Sequence, residues 1–289
     1  EKEISNFNEV RKFCKIINTA DVVSDKESPL AAAKKGKESS MWKAIESQKN
    51  NMTDISLSAG NTGALLVISR LILNTIDGIN KPALAGFWPN KDSINIVLDL
   101  GANIECDEKN LFDFACMGSA LYKSLFNIEN PKIALLNVGL EETKGNEVLK
   151  KTFAMIKKNK IRNFNFSGYI EGNQIMDGKV DVIVTDGFTG NIALKTAEGT
   201  ANFITTNLKK SLSKLSMLLS YRALKKFKDK LDPRKYNGAI FLGLESPVVK
   251  SHGSTDGLGF AHSIDLCNRI VKGNLIEKIK SHLITVDVR

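Results

Sequence analysis

Residues 181–191 read Asp-Val-Ile-Val-Thr-Asp-Gly-Phe-Thr-Gly-Asn, and a helical pattern follows from Ile192 onward. A short unbroken apolar run suits a strand buried on both faces, and the glycine turn that ends it opens a helix. That unit recurs. Asp54–Ala59 leads through Gly60-Asn61-Thr62-Gly63 into a helical pattern over Thr62–Ile76. Asn95–Leu100 leads through Gly101-Ala102-Asn103 to Leu111–Phe126, and Lys132–Val138 leads through Gly139 and Gly145 to Asn146–Lys158. Phe164–Ile170 reads as a further strand. Alternation at this spacing predicts βαβ units: a three-layer α/β/α fold with a mainly parallel sheet between helices. No repeat, low-complexity tract or Pro/Gly-rich linker divides the chain. Residues 1–289 therefore read as one domain, with a helical protrusion at about 205–235.

The 289 residues are 42% hydrophobic and 25% charged, with 21 Gly and 6 Pro, which excludes disordered, collagenous and coiled-coil classes. No stretch reaches the roughly 18 consecutive apolar residues of a membrane span. The best, Ile55–Ile76, is cut by Asn61, Arg70 and Asn74. There is no basic-then-apolar leader, and the chain begins at Glu1 without Met, so a missing N-terminal piece is expected. Cys14, Cys106, Cys116 and Cys267 lie far apart, three of them in apolar surroundings. This usage fits free thiols in a reducing cytosol, with no zinc or redox spacing, so neither a metal site nor a cofactor is expected.

Charge is concentrated. Residues 209–235 carry eight of the nine net positive charges, against only Asp229 and Asp232. Leu208, Leu212, Leu215 and Leu219, then Leu224, Phe227 and Leu231, mark an amphipathic helix or two in succession. A core-packed helix with a solvated face would explain the pattern. The charge density points beyond solubility, to an acidic protein or an anionic membrane surface. Nucleic acid is not expected, because the stripe has few interleaved aromatics.

The glycine turns are the candidate site. Bare backbone lets a ligand approach closely, and N–H groups at a helix start favour phosphate. Ligands of open α/β sheets bind at the carboxyl ends of strands, and four glycine loops with Asn or Thr are expected on one edge. None is a Walker A loop or a full dinucleotide fingerprint, which suggests phosphate without nucleotide. Lys144, at the mouth of the third loop, reads either as a solvated lysine or as a point charge for phosphate. Asn191 reads either as a helix N-cap or as an amide aimed at a developing oxyanion. His252 lies in a further strand-to-glycine turn, Val248–Gly257, as a structural loop residue or a ligand contact. His262 and His282 sit in helical patterns and receive no role. No Gly-x-Ser-x-Gly elbow occurs, and acyl transfer to phosphate needs none, since phosphate itself attacks.

Taken together, six stretches resemble the phosphate acyltransferases of bacterial phospholipid synthesis, the PlsX family. They are Ser58–Gly63 (SAGNTG), Lys81–Ala85 (KPALA), Asp99–Asn103 (DLGAN), Asn137–Asn146 (NVGLEETKGN), Val184–Asn191 (VTDGFTGN) with Ala193–Gly199 (ALKTAEG), and Lys250–Asp256 (KSHGSTD). They run in family order over most of the chain after about Ser28. The resemblance implies a fold similar to phosphotransacetylases and isocitrate- or isopropylmalate-type dehydrogenases, and a homodimer. It implies conversion of acyl-[acyl-carrier protein] and inorganic phosphate to acyl phosphate and free carrier protein. Lys144 and Asn191 would be catalytic. Gly60, Asn61, Thr62, Gly63, Gly101, Asn103, Gly139, Gly145, Asp186, Gly187, Thr189, Gly190 and His252 would hold phosphate or substrate. Lys225, Lys226 and Lys228 would meet the carrier protein or membrane. A cytoplasmic protein in peripheral contact with an anionic membrane, and there with a membrane glycerol-phosphate acyltransferase, completes the expectation.

Three departures stand out. The family opens with a strand ending in Asp-Ala-Met-Gly-Gly-Asp, and nothing like it occurs here, so the chain reads as shortened by about one βα unit. Asn237 stands where the family usually repeats glycine after Tyr, and Leu140 is bulkier than expected after Val138-Gly139. Two other readings stay open: a phosphotransacetylase-like enzyme using acyl-CoA, and a non-catalytic adaptor between carrier protein and membrane.

Overall fold

Eight strands are found among the described residues of the computed structural model, which are 7–159, 163–213, 220–230 and 232–284. They are β1 (Ser56–Ser58), β2 (Ala83–Pro89), β3 (Ile94–Leu98), β4 (Lys132–Asn137), β5 (Asn165–Glu171), β6 (Val182–Val184), β7 (Ala239–Leu242) and β8 (Val248–Lys250). Strand side chains alternate between two faces, so each central strand feeds two separate cores. Ile96, Leu98, Ile133, Leu135, Val182 and Val184 enter one core, while Val97, Ala134, Leu136 and Ile183 enter the other.

After one short turn at Asn8–Arg11, helices α1 (Pro29–Lys35), α2 (Ser40–Lys49) and α3 (Thr62–Leu73) cover the second core, joined by Ala193, Leu194 and Ala197 of α6 (Gly187–Ser211). The first core lies under α4 (Glu108–Phe126), α5 (Glu147–Lys158), α8 (Gly257–Lys272) and α9 (Leu275–Ile284). The expected three layers are present. The α4 helix is buried almost all round, as a central helix must be. A reciprocal cap starts it: the Asn110 N–H donates to Asp107 Oδ1 (2.7 Å) and the Asp107 N–H to Asn110 Oδ1 (3.1 Å).

The sheet order is β1-β8-β7-β2-β3-β6-β4-β5. Pairings β1/β8, β3/β6, β6/β4 and β4/β5 are parallel, and β8/β7, β7/β2 and β2/β3 are antiparallel. The sheet is thus mainly parallel but reverses in its middle. Its β5 margin is irregular: Phe166 and Tyr169 face Ile133 and Leu135, so β5 spends one extra residue there. The reversal comes through β2 and β7, which the apolar-run reading does not contain. The Ala, Gly and Pro of β2 are poor strand formers, and β7 is only four residues long.

Helix α6 begins at Gly187, ahead of the expected Ile192, and runs 25 residues to Ser211. Beyond Gly187 and Gly190 it has no fully buried residue among those described, and Phe203 is 69% exposed. Helix α7 (Tyr221–Lys230) follows, with Lys225 and Lys226 exposed. Residues 214–219 and 231, and the Lys228 side chain, lie outside the described residues. No described helix is long and apolar enough to cross a membrane.

Candidate active site

Three neighbouring strands, β3, β6 and β4, send their carboxyl ends to one edge. The loop after β3 is built around Asp99, fully buried and surrounded by N–H donors. Its Oδ1 accepts from Leu84 (3.0 Å), Gly101 (3.2 Å) and Ala102 (3.0 Å), and Oδ2 from the Asn103 main chain (2.7 Å) and side chain (2.8 Å). Burial pushes this carboxyl above its usual range, against the pull of those donors. The amides of Gly101 and Asn103, expected to cradle phosphate, are therefore already engaged by Asp99. Asn103 Nδ2 also donates to Pro82 O (2.7 Å), so Asn103 shapes the loop.

The loop after β6 packs directly on this one. A Cβ on Gly187 would lie 2.4 Å from Asn103 O, and one on Gly190 2.0 Å from Asp99 O. Only glycine permits that approach. Asp186 is the helix cap: the Thr189 N–H and Oγ1 donate to its two carboxylate oxygens, each at 2.8 Å. Asn191 is then the fifth residue of α6 and caps nothing. Its side chain is exposed and lies over Gly101, where a Cβ would be 3.2 Å from Asn191 Nδ2. Gly101 has φ +120°, a conformation closed to ordinary side chains. Cys106 adjoins this loop, but burial, with Asp99 and Asp186 nearby, pushes its thiol up to about 12, so it is not a thiolate at neutral pH.

The loop after β4 is organised by buried Asn137. Its Oδ1 accepts from the Val138 N–H (2.9 Å) and its Nδ2 donates to Lys144 O (3.2 Å). Gly145 (φ +89°) sits against it, where a Cβ would be 2.4 Å from Asn137 Oδ1. Gly139 lies beneath Lys144, with a Cβ position 2.9 Å from Lys144 Cγ. Lys144 is exposed, and its Nζ has no hydrogen-bond or ion-pair partner among the described residues. Asn146 caps α5 through the Leu149 N–H (2.9 Å).

The remaining two loops are elsewhere. Because the sheet reverses, β1 and β8 point their carboxyl ends to the opposite edge. The expectation of glycine loops on one edge is corrected: they form two groups. At this second edge Asn61 accepts from the Ala64 N–H (3.0 Å) as a helix cap, and its amide reaches Asp25 O (3.2 Å) and Glu27 O (3.3 Å). Both ends of that side chain thus serve structure. Gly60 and Gly63 lie under Met41 and Pro29, and Thr62 is exposed. Lys250, its pKa lowered by burial, donates from Nζ to Ala59 O (3.4 Å) and to Ser251 O, tying the two loops together. His252 is exposed, with Nδ1 2.9 Å from Ser254 Oγ. Asn237 fixes its loop: Oδ1 accepts from the His252 N–H (2.9 Å), and Nδ2 reaches Ser251 Oγ (2.9 Å), Thr255 Oγ1 (3.2 Å) and Gly259 O (2.9 Å).

The comparisons with known proteins agree with these motifs. A family model described as fatty acid synthesis protein matches residues 1–278. A phosphate acyltransferase of Pelagibacter ubique is 60% identical over 273 residues, covering 93% of this chain and 82% of that protein. The chain belongs to the phosphate acyltransferase family. A second member, from Azorhizobium caulinodans, is 44% identical over 94% of this chain and 78% of its own length. Among solved structures, a phosphotransacetylase from Streptococcus pyogenes aligns at TM-score 0.59 and 17% identity, over 96% of this chain and 84% of that one. EutD phosphotransacetylase from Staphylococcus aureus aligns at TM-score 0.57 and 13% identity, over 95% and 84%. At such identity these two establish the fold alone, and it is the fold the resemblance implies.

Within this phosphate acyltransferase-family chain, sequence reasoning did not single out Asp99, Asn137 or Lys250. Each sits inside or beside a quoted motif. What sets Asp99 and Asn137 apart is burial, which a motif does not display.

Proposed function

We propose that this chain transfers an acyl group from the thioester of an acyl-carrier protein to inorganic phosphate, in bacterial phospholipid synthesis. The observation that carries the reading is Asn191: exposed, free of capping duty, and set over the bare backbone of Gly101 on the sheet edge that also carries the Lys144 loop. Lys144 and the amides that open α5 hold the phosphate dianion. A phosphate oxygen attacks the thioester carbon and forms the C–O bond, while Asn191 Nδ2 donates to the oxyanion. Collapse of the tetrahedral intermediate breaks the C–S bond. The thiolate leaves with the electron pair and takes up the proton released by phosphate. Deleting one oxyanion donor of this kind raises a barrier by roughly 2.7–4 kcal/mol.

The concentration of basic residues in the sequence around Lys225, Lys226 and Lys228 supports a carrier protein over acyl-CoA as donor, because carrier proteins are acidic. The same residues suit peripheral contact with an anionic leaflet, where a membrane glycerol-phosphate acyltransferase would take up the labile acyl phosphate. A homodimer belongs to this reading too. The deciding experiment incubates the protein with phosphate and either long-chain acyl-carrier protein or acyl-CoA and traps acyl phosphate with hydroxylamine. Preferential use of acyl-CoA overturns the donor assignment. Product from neither thioester overturns the activity.

A further inference from the structure

We propose that a trough beside the Lys144 loop, at the β5 margin, binds the hydrocarbon chain of the acyl group, and that Leu140 sets how much chain it accepts. This rests on the reading that the protein handles a long-chain thioester. Two open hollows, of about 440 and 250 Å³, adjoin one another here and share Leu140, Ser167 and Tyr169 in their walls. Together they fall in the size range of small-molecule sites. The floor of the larger is aromatic. Phe153 meets Phe166 edge-on at 5.3 Å and Tyr169 at 4.9 Å between ring centres.

Charged side chains share the walls: Glu142 and Lys157 line the larger hollow and Lys179 the smaller. Lys157 Nζ pairs with Glu142 (2.6 Å) across the gap between loop and helix, and stands 4.4 Å over the Phe153 ring. The extra residue in β5, at Ser167–Gly168, widens the trough, since no side chain fills the Gly168 position. The loop itself supplies an approach: Val138 is 79% exposed and Leu140 50%, two apolar side chains in water within six residues of Lys144. A chain leaving a thioester held at Lys144 would run past Leu140 toward the rings of Phe153, Phe166 and Tyr169. Hydrocarbon laid along it is removed from water.

Two surface substitutions test this. Leu140→Glu places a charge in the path, and Ser167→Trp fills the trough from the exposed side of β5. Binding of the fluorescent fatty acid cis-parinaric acid is measured on the whole protein, alongside KM for acyl-carrier protein bearing sixteen- or eight-carbon chains. Saturable probe binding that weakens at least fivefold in both variants is expected. The ratio of long- to short-chain KM should rise by a similar factor. Wild-type and variant proteins that bind the probe equally, or not at all, overturn the trough. A wild type that binds the probe but forms no acyl phosphate leaves the trough standing and removes the proposed activity instead.

Discussion

Asn191 and Gly101 are in register across two loops: the amide of one covers the place where the other would carry a Cβ, at 3.2 Å. The pairing follows from Asp186 taking the helix cap, which moves Asn191 one turn into α6 and frees its side chain. Gly101→Ala should therefore act twice. The φ of +120° strains any other residue by about 1–3 kcal/mol, and the new methyl displaces Asn191. Chemical denaturation should show the stability loss, and acyl phosphate formation should fall more than stability alone explains.

Asn191→Ala and Lys144→Ala should each remove most turnover while leaving the melting temperature near that of the wild type, because both side chains are exposed. The Asn191 variant should lose kcat, by roughly a hundredfold to a thousandfold. The Lys144 variant should chiefly raise KM for phosphate. Near-native turnover in both would remove the assigned roles.

Asp113 gives a pH signature. Its carboxyl is pushed up to about 6, first by burial, with Lys109 at 2.6 and 2.7 Å offsetting only part of the cost. Between about pH 4 and 6 the native protein holds this proton more tightly than the unfolded chain, so its contribution to stability falls as pH rises through that window. The fall is on the order of 3 kcal/mol. Unfolding curves at pH 4.5 and 7 should show Asp113→Asn gaining on the wild type at the higher pH. A constant difference between the two proteins would refute it.

Asn237→Gly should release the His252 loop. The His252 amide, whose acceptor is Asn237 Oδ1, should exchange with solvent at least tenfold faster. Asn237→Asp keeps that acceptor and should retain most of the protection.

Lys225, Lys226 and Lys228 replaced together by Glu should lose sedimentation with anionic liposomes at low salt, at about 1 kcal/mol per basic residue engaged. Carrier-protein affinity should weaken in parallel if one face serves both. Unchanged sedimentation would remove the membrane contact.

Local units were legible in sequence because each combines an apolar run, a glycine turn and a helical period within about 30 residues. Residues 95–103, 132–146 and 181–191 are such units, and they build the first edge of the candidate site. What was not legible depends on partners far along the chain. Strand β2 is held by neighbours on both sides rather than by its own Ala- and Gly-rich composition, and with β7 it turns the sheet round. That is why the Asn61 loop left the edge it was expected to share with Asn191. Asn61 looked like a ligand residue because a cap and a ligand contact use the same amide.

The extra residue at Ser167–Gly168 has a consequence for the company this molecule keeps. Strand β5 is the margin of the sheet, and a regular margin of seven residues would offer an unpaired ladder of N–H and C=O groups to any passing strand. The irregular step breaks the repeat of that ladder midway, and at the opposite margin β1 offers only three residues. Among the described residues, both rims are thus poor templates for fibrillar growth.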